Sequence, residues 1–358
     1  MNQFQESTFI SNNLINWYSI NKRQLPWRDT TDPYVIWISE IILQQTRVLQ
    51  GTDYFLRFIK RFPDISTLAN SSEEEVLNHW QGLGYYSRAR NLHAASQQIM
   101  KGYRGQFPNQ YELIAALPGI GPYTAAAIAS FAFQLPFAVI DGNVFRFLTR
   151  FFGINTPIDE TKTRKQVTEL ATLLLNRDHP DIHNQAIMEF GALQCVPSSP
   201  NCTLCPFENA CFANTHHLVT QLPIKKKKAQ PQHRYFYYIY FVHNNSTYVQ
   251  KRTTKDIWHN LYEFPLFESK ELLSIEQIMQ QDFFKNITNS ISFTLQSVSP
   301  VIKHVLSHQI IHAIFLTLNI NKSNETLNRL IHTSFDELSR FPISRLTEKF
   351  LQNQPIKV

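Results

Sequence analysis

Residues 117–124 read L-P-G-I-G-P-Y-T. Gly119 and Gly121 permit a tight turn with open backbone N–H groups, and Pro122 suits the first position of the helix expected over Tyr123–Ala132. A plain helix–helix turn uses the same ingredients, and a lone G-x-G proves little. Between two apolar helical stretches, however, the whole octet is a helix-hairpin-helix pattern. There the turn's N–H groups and the positive end of the second helix cradle a phosphate without any basic side chain.

Upstream and downstream of this hairpin, 3.6-residue apolar spacing recurs as far as residue 221, with Pro, Asn, Ser and Asp between segments as helix starts. An all-α domain is expected over residues 1–221. The segment 222–234 (LPIKKKKAQPQHR) has two prolines, no acid and a lysine block, and reads as a basic linker. Lys225 to Lys228 with Arg234 either form a solvated linker or contact phosphate. Beyond it, residues 235–242, 247–250, 291–299 and 310–318 are rich in aromatic and β-branched residues, which predicts strands. Helical stretches near Ser269–Gln281 and Ile343–Gln354 make residues 235–358 an α+β domain. The chain is therefore read as multidomain.

Composition narrows the classes. With 358 residues, 43% of them apolar and 17% charged, the chain is long enough for two domains and too apolar for disorder. The longest apolar stretch, Leu113–Ile140, is interrupted by Pro118, Gly119, Gly121, Pro122, Gln134 and Pro136, so no membrane span is expected. The N-terminal residues lack a secretory pattern, and a cytoplasmic location is expected. Charge is uneven: residues 1–219 carry 17 basic and 18 acidic side chains, and residues 220–358 carry 17 and 10.

All four cysteines fall in one window, Cys195, Cys202, Cys205 and Cys211, spaced C-x6-C-x2-C-x5-C. Such clustering in a large chain without a secretory signal points to four thiolates around one soft metal centre rather than to disulfides. Zinc and an iron–sulfur cluster are both candidates. Zinc sites usually pair two short knuckles, whereas only Cys202 and Cys205 are close here, and the wider arms suit a 4Fe-4S cube.

Two carboxylates stand out. Glu40 lies in an expected helix with Ile36, Trp37 and Leu43 one turn away, an apolar setting that should raise its pKa and let it act as an acid. Asp141 precedes a helix in D-G-N-V, where it would serve as N-cap and where the helix dipole should keep it ionised. An ionised carboxylate beside a protonated one is the pair that breaks a glycosidic bond through an oxocarbenium-like transition state.

The hairpin, an aspartate 20 residues after its second glycine, and the four-cysteine window together resemble the helix-hairpin-helix DNA glycosylase superfamily. The stretches L-P-W-R (25–28), W-I-S-E-I-I-L-Q-Q-T-R-V (37–48) and G-L-G-Y-Y-S-R-A-R-N-L (82–92) closely resemble the MutY family of adenine DNA glycosylases. The resemblance implies base excision repair of adenine mispaired with 8-oxoguanine or guanine in double-stranded DNA. It also implies a 4Fe-4S cluster on the four cysteines, a Nudix-like lesion-recognition domain at the C-terminal end, and a monomer held at the nucleoid through DNA.

By resemblance, Glu40 protonates adenine N7 and then helps deliver water, while Asp141 stabilises or captures the sugar cation. Asn143 holds the carboxylates and water, and Tyr123 lies against the sugar and Glu40. Gln45 and Tyr85 match positions that wedge into the base stack. Arg28 and Gln185 match positions that line the adenine pocket. Leu306, Ser307 and His308 match a Phe-Ser-His loop that reads 8-oxoguanine, with leucine in place of the aromatic.

Rival readings remain distinguishable by residue. Endonuclease III-like enzymes carry a nucleophilic lysine where this chain has Tyr123, and no lysine occurs between Lys101 and Lys162, so a monofunctional enzyme is expected. A DNA-binding protein without chemistry would not need both carboxylates. Glu263, Glu268, Glu271 and Glu276 do not form the clustered metal motif of an active Nudix hydrolase. His304, His308 and His312 are four apart, but their β-branched surroundings read as strand, turn, strand rather than as a helical metal site.

Overall fold

In the computed structural model, residues 3–226 and 230–354 are described. Helices occupy the N-terminal part: α1 (Gln3–Asn21), α2 (Pro33–Leu43), α3 (Val48–Arg61), α4 (Ile65–Asn70), α5 (Glu73–His79), α6 (Ser87–Tyr103), α7 (Tyr111–Ala115), α8 (Pro122–Phe133), α9 (Gly142–Phe152), α10 (Thr161–Leu174), α11 (Pro180–Leu193) and α12 (Phe212–Thr215). Two compact units emerge. One comprises residues 1–70 and 91–227; the other comprises residues 71–90 together with 228–358.

In the first unit, α1, α9, α10 and α11 pack around an apolar core that includes Leu14, Phe147, Leu148, Phe190 and Phe207. The expected hairpin is present: α7, a turn, then α8 with Gly121 as N-cap and Pro122 inside its first turn. Gly119 adopts φ +75, and a Cβ there would meet the Asn91 side chain at 2.5 Å, so both backbone and space demand glycine. Gly121 differs, since a Cβ on it would meet nothing within 4 Å.

The second unit carries a sheet in the order β4 (Leu266–Ser269), β1 (Gln232–Val242), β7 (Gln309–Ile320), β5 (Phe293–Val298), with β6 (Ile302–Val305) also pairing β7. Strand β1 runs parallel to β7 and antiparallel to β4. A smaller sheet joins β3 (Tyr262–Glu263), β2 (Ser246–Lys251) and β8 (Ile331–Ser334). The run YFYYIYFV is apolar throughout because β1 is covered on both sides. Phe236, Tyr238 and Tyr240 enter one core, and Tyr237, Ile239 and Phe241 enter the other. Short helices α13 (Ile275–Met279), α14 (Asp282–Ile287), α15 (Glu325–Asn328) and α16 (Arg345–Gln352) complete the unit.

Three expectations change. The helix expected near Ser269–Gln281 shrinks to α13, because Ser274 makes a capping box with Gln277 and fixes the start there. Gln232–Arg234, assigned to the linker, belong to β1, and Arg234 is not a free phosphate contact: its guanidinium binds Asp256 at 2.6 Å and Glu268 at 2.6 Å. Lys226 pairs with Glu160, and Lys227 and Lys228 lie outside the described residues. Among the described residues no helix is long and apolar enough to cross a membrane.

Candidate active site

Helix α2 is apolar enough to be buried from Ile36 to Ile42, and Glu40 is carried in with it, only 8% exposed. Burial pushes its pKa up to about 7, further raised by Asp141 and partly offset by a hydrogen bond. That bond comes from the Tyr123 hydroxyl, 2.7 Å from Glu40 Oε2. Tyr123 sits in the first turn of α8, so the hairpin that could hold phosphate also delivers a hydroxyl to the acid.

Asp141 is the N-cap of α9, accepting from the backbone N–H groups of Asn143 (2.9 Å) and Val144 (2.8 Å) and from the Asn143 amide (2.6 Å). Burial raises the Asp141 pKa above the ordinary carboxylate value, and the three donors together with Arg146 offset part of the rise. Arg146 then fixes Asn143. Its guanidinium donates to Asn143 Oδ1 (2.8 Å) and to the carbonyls of Gly191 (2.5 Å) and Cys195 (2.7 Å). Gly191 is glycine because a Cβ would meet the Asn143 carbonyl at 2.7 Å.

Glu40, Tyr123, Asp141, Asn143, Gln45, Arg28 and Gln185 all line one cavity of about 370 Å³, within the small-ligand range of about 300–1,000 Å³. Gln45 follows α2 in a left-handed conformation, φ +57, uncommon for a non-glycine residue. Gln185 accepts from the Tyr18 hydroxyl at 2.7 Å. Arg28 grips Glu189, with contacts of 2.8 and 3.0 Å, and Arg23 grips the same carboxylate at 2.6 and 2.8 Å. Burial would raise the Glu189 pKa, but these bonds outweigh it and hold it at about 2.

Glu189 and Arg23 escaped the sequence reading. The signal was present in α11, where Gln185, Met188, Glu189 and Ala192 recur at helical spacing and all line the cavity. A glutamate on such a buried face needs cationic partners, and the chain supplies Arg23 and Arg28 close together.

The four cysteines line a single pocket with Phe147, Phe190 and Phe207. Arg150 reaches Cys195 Sγ at 3.4 Å, and the Phe207 N–H points at Cys205 Sγ, also at 3.4 Å. Among the described residues no three His, Cys, Asp or Glu side chains gather around a single-ion position. His304 and His312 face opposite sides of the sheet, because His304 stands opposite Ile311 and Lys303 opposite His312.

In the second unit, Ser307 and His308 occupy the β6–β7 turn, both exposed, with the Leu306 N–H closing it on Gln309 O at 2.9 Å. Leu306 packs against the core that holds Tyr238 and Phe315, so leucine still anchors the turn. Tyr85, 46% exposed with φ +47, hydrogen-bonds Ser307 at 2.5 Å. Glu263 and Glu268 are engaged by Arg252 and Arg234.

A helical hairpin domain with buried carboxylates in one cavity, followed by a Nudix-like sheet, defines a class. Residues 38–172 match the family described as HhH-GPD superfamily base excision DNA repair protein, and residues 236–353 match the NUDIX domain. The adenine DNA glycosylase of Buchnera aphidicola subsp. Acyrthosiphon pisum is 37% identical over 301 residues, covering 84% of this chain and 83% of that protein. The human adenine DNA glycosylase is 39% identical over 217 residues, covering 58% of this chain and 40% of its own length. Among solved structures, a thermostable thymine-DNA glycosylase aligns with TM-score 0.55 and 27% identity, over 59% of this chain and 98% of that one. The chain belongs to the adenine DNA glycosylase family, hydrolases of N-glycosyl bonds in DNA.

Proposed function

We propose that this enzyme removes adenine mispaired with 8-oxoguanine or guanine from duplex DNA and leaves an abasic site. The observation that carries the reading is the Tyr123–Glu40 hydrogen bond beside Asp141 in one cavity. With its pKa near 7, Glu40 is part-protonated at neutral pH and can donate to N7 of an extruded adenine. As C1′–N9 breaks, its electron pair leaves with the base, and Asp141, oriented by Asn143 and Arg146, faces the developing sugar cation. Glu40, now a carboxylate, takes the proton of the water that adds to C1′.

The cavity lining includes arginines and no lysine among the described residues, which supports hydrolysis without strand cleavage. Gly121, where a Cβ would fill open space, leaves room for a phosphate at the start of α8. Gln45 and Tyr85 serve as wedges, and Ser307 with His308 reads the opposite base. Residues 1–70 and 91–221 form the catalytic domain, 222–231 the connection, and 71–90 together with 232–358 the lesion-recognition domain. The enzyme works as a monomer in the cytoplasm, on nucleoid DNA.

Cys195, Cys202, Cys205 and Cys211 would hold a 4Fe-4S cluster, since all four thiols line one pocket and their C-x6-C-x2-C-x5-C spacing suits such a centre. Bound there, the cluster would cross-link residues 195–211, and through the Cys195 carbonyl it would steady Arg146. The test incubates the protein with duplexes carrying adenine opposite 8-oxoguanine, adenine opposite guanine, or thymine glycol, with and without alkali. Adenine release with alkali-dependent breaks is expected; cleavage of the thymine glycol duplex without alkali would overturn the reading.

A further inference from the structure

Tyr85 reaches Ser307 across 222 residues of sequence, and its placement depends on a segment with its own attachments. Helix α5 opens with three glutamates, Glu73, Glu74 and Glu75. Glu74 receives the Lys251 ammonium at 3.0 Å and the Tyr262 hydroxyl, and Glu73 receives the Asn260 amide at 2.5 Å. At the other end of α5, the Asn78 amide donates to the carbonyls of Ser339 (3.1 Å) and Arg340 (3.0 Å). After the turn, the Tyr86 hydroxyl donates to the Ile343 carbonyl at 3.2 Å. The turn is thus pinned on both sides of Tyr85 to strands and loops of the C-terminal fold.

The pinning matters because the turn is strained. Gly82, Gly84 and Tyr85 all have positive φ, and for Tyr85 the left-handed conformation persists only where surroundings over-determine it. Arg88 and the Trp80 indole both donate to the Gly84 carbonyl at 3.1 Å, which fixes the turn internally. Those bonds set its shape, whereas the bonds of Glu74 and Asn78 set where it stands.

We infer that residues Ser71–Arg90 are a working part of the lesion-reading surface, with Glu74 and Asn78 as positioning residues that hold the Tyr85 wedge at the Ser307 turn. This rests on the reading of Tyr85 and Ser307 as DNA contacts. Neither Glu74 nor Asn78 lines the catalytic cavity, and each acts through Tyr85. Their loss therefore weakens discrimination between opposite bases and leaves bond breaking intact.

The test uses the full-length enzyme with Lys251→Glu, Asn78→Ala, the charge swap Glu74→Lys/Lys251→Glu, and Tyr85→Ala as reference. Single-turnover excision is measured for adenine opposite 8-oxoguanine and opposite guanine. Fluorescence of 2-aminopurine stacked beside the lesion reports wedge insertion. Lys251→Glu and Asn78→Ala are each expected to lower the ratio of the two rates at least fivefold and to reduce the fluorescence gain. The rate opposite guanine should change less than twofold, and the charge swap should recover most of the loss. An unchanged ratio in both variants, while Tyr85→Ala lowers it, overturns the anchoring inference alone. An unchanged ratio in Tyr85→Ala overturns the wedge reading on which it rests. Equal loss on both mispairs, with no rescue by the swap, shows only a folding defect and also overturns the inference.

Discussion

The Tyr85 hydroxyl and the Ser307 hydroxyl stand 2.5 Å apart, both on exposed turns, one after α5 and the other between β6 and β7. Each is held by strong local geometry: Tyr85 by a left-handed turn between two anchored flanks, Ser307 by a hairpin whose Leu306 is rooted in the core. The two hydroxyls share one hydrogen bond.

Removing the reading pair should separate recognition from chemistry. The Ser307→Ala/His308→Ala variant is expected to lose on the order of 1–3 kcal/mol of recognition of 8-oxoguanine, because one or two hydrogen bonds disappear. Excision of adenine opposite guanine should fall far less. Competition binding with the two mispaired duplexes checks this, and equal losses would make the turn a structural element.

Glu40→Gln and Asp141→Asn should each abolish adenine release in single-turnover assays while mismatch binding stays measurable, since both groups act on the transition state. For the parent enzyme the pH dependence follows from Glu40. Its acid form is the donor, so kcat/KM should fall as pH rises through about 7, approaching tenfold per unit above it. A flat profile from pH 6 to 9 would remove Glu40 from the role of acid.

Tyr123→Lys should convert some of the product to nicked strand and give an adduct trapped by borohydride, because the amine would sit at the cavity wall beside Glu40. Trapping of the parent enzyme would contradict the monofunctional reading.

Much of this site was legible in the sequence because its determinants are local. The Gly119 turn, the Asp141 cap and the Glu40 helix each depend on neighbours within one turn, and their patterns survive in the linear order. What stayed hidden depends on distant partners. Glu189 becomes a buried anion only once Arg23 and Arg28, more than 160 positions away, close on it. Arg234 reads as linker charge until Asp256 and Glu268 neutralise it. The attachment of α5 to Lys251, Asn260 and Tyr262 has no local signature at all. Short strands β3, β4 and β8 were missed for the same reason, since two to four residues carry too little periodicity.

Iron and sulfide analysis of anaerobically purified enzyme should give a 4Fe-4S cluster, and Cys205→Ser should lose it. Phe207, packed against Phe147, Phe151 and Phe190, ties the cysteine loop to the core, so part of the fold should survive that loss. Arg146 should then be less well held at the Cys195 carbonyl, and excision should drop more than duplex binding. Zinc alone in the purified protein would contradict the assignment.

Glu40 and Glu189 line the same cavity and have pKa values displaced in opposite directions, which gives stability a pH dependence with two signs. Glu40 has a folded pKa near 7, against 4.5 as a free side chain. Below pH 4.5 it is protonated whether folded or unfolded and costs nothing. As pH rises from there to 7, the unfolded chain releases its proton first, so the folded state loses up to about 3 kcal/mol. Glu189 works the other way, contributing stability above pH 4.5 that is lost as pH falls towards 2. Glu40→Gln should therefore melt higher than the parent at pH 8, with the gap shrinking towards pH 5. Glu189→Gln should melt lower at pH 8, because the facing guanidiniums of Arg23 and Arg28 lose their counter-charge. Thermal melts at pH 5 and pH 8 decide it: a Glu40→Gln gain that does not grow with pH would mean that the buried carboxyl is not strained by its charge.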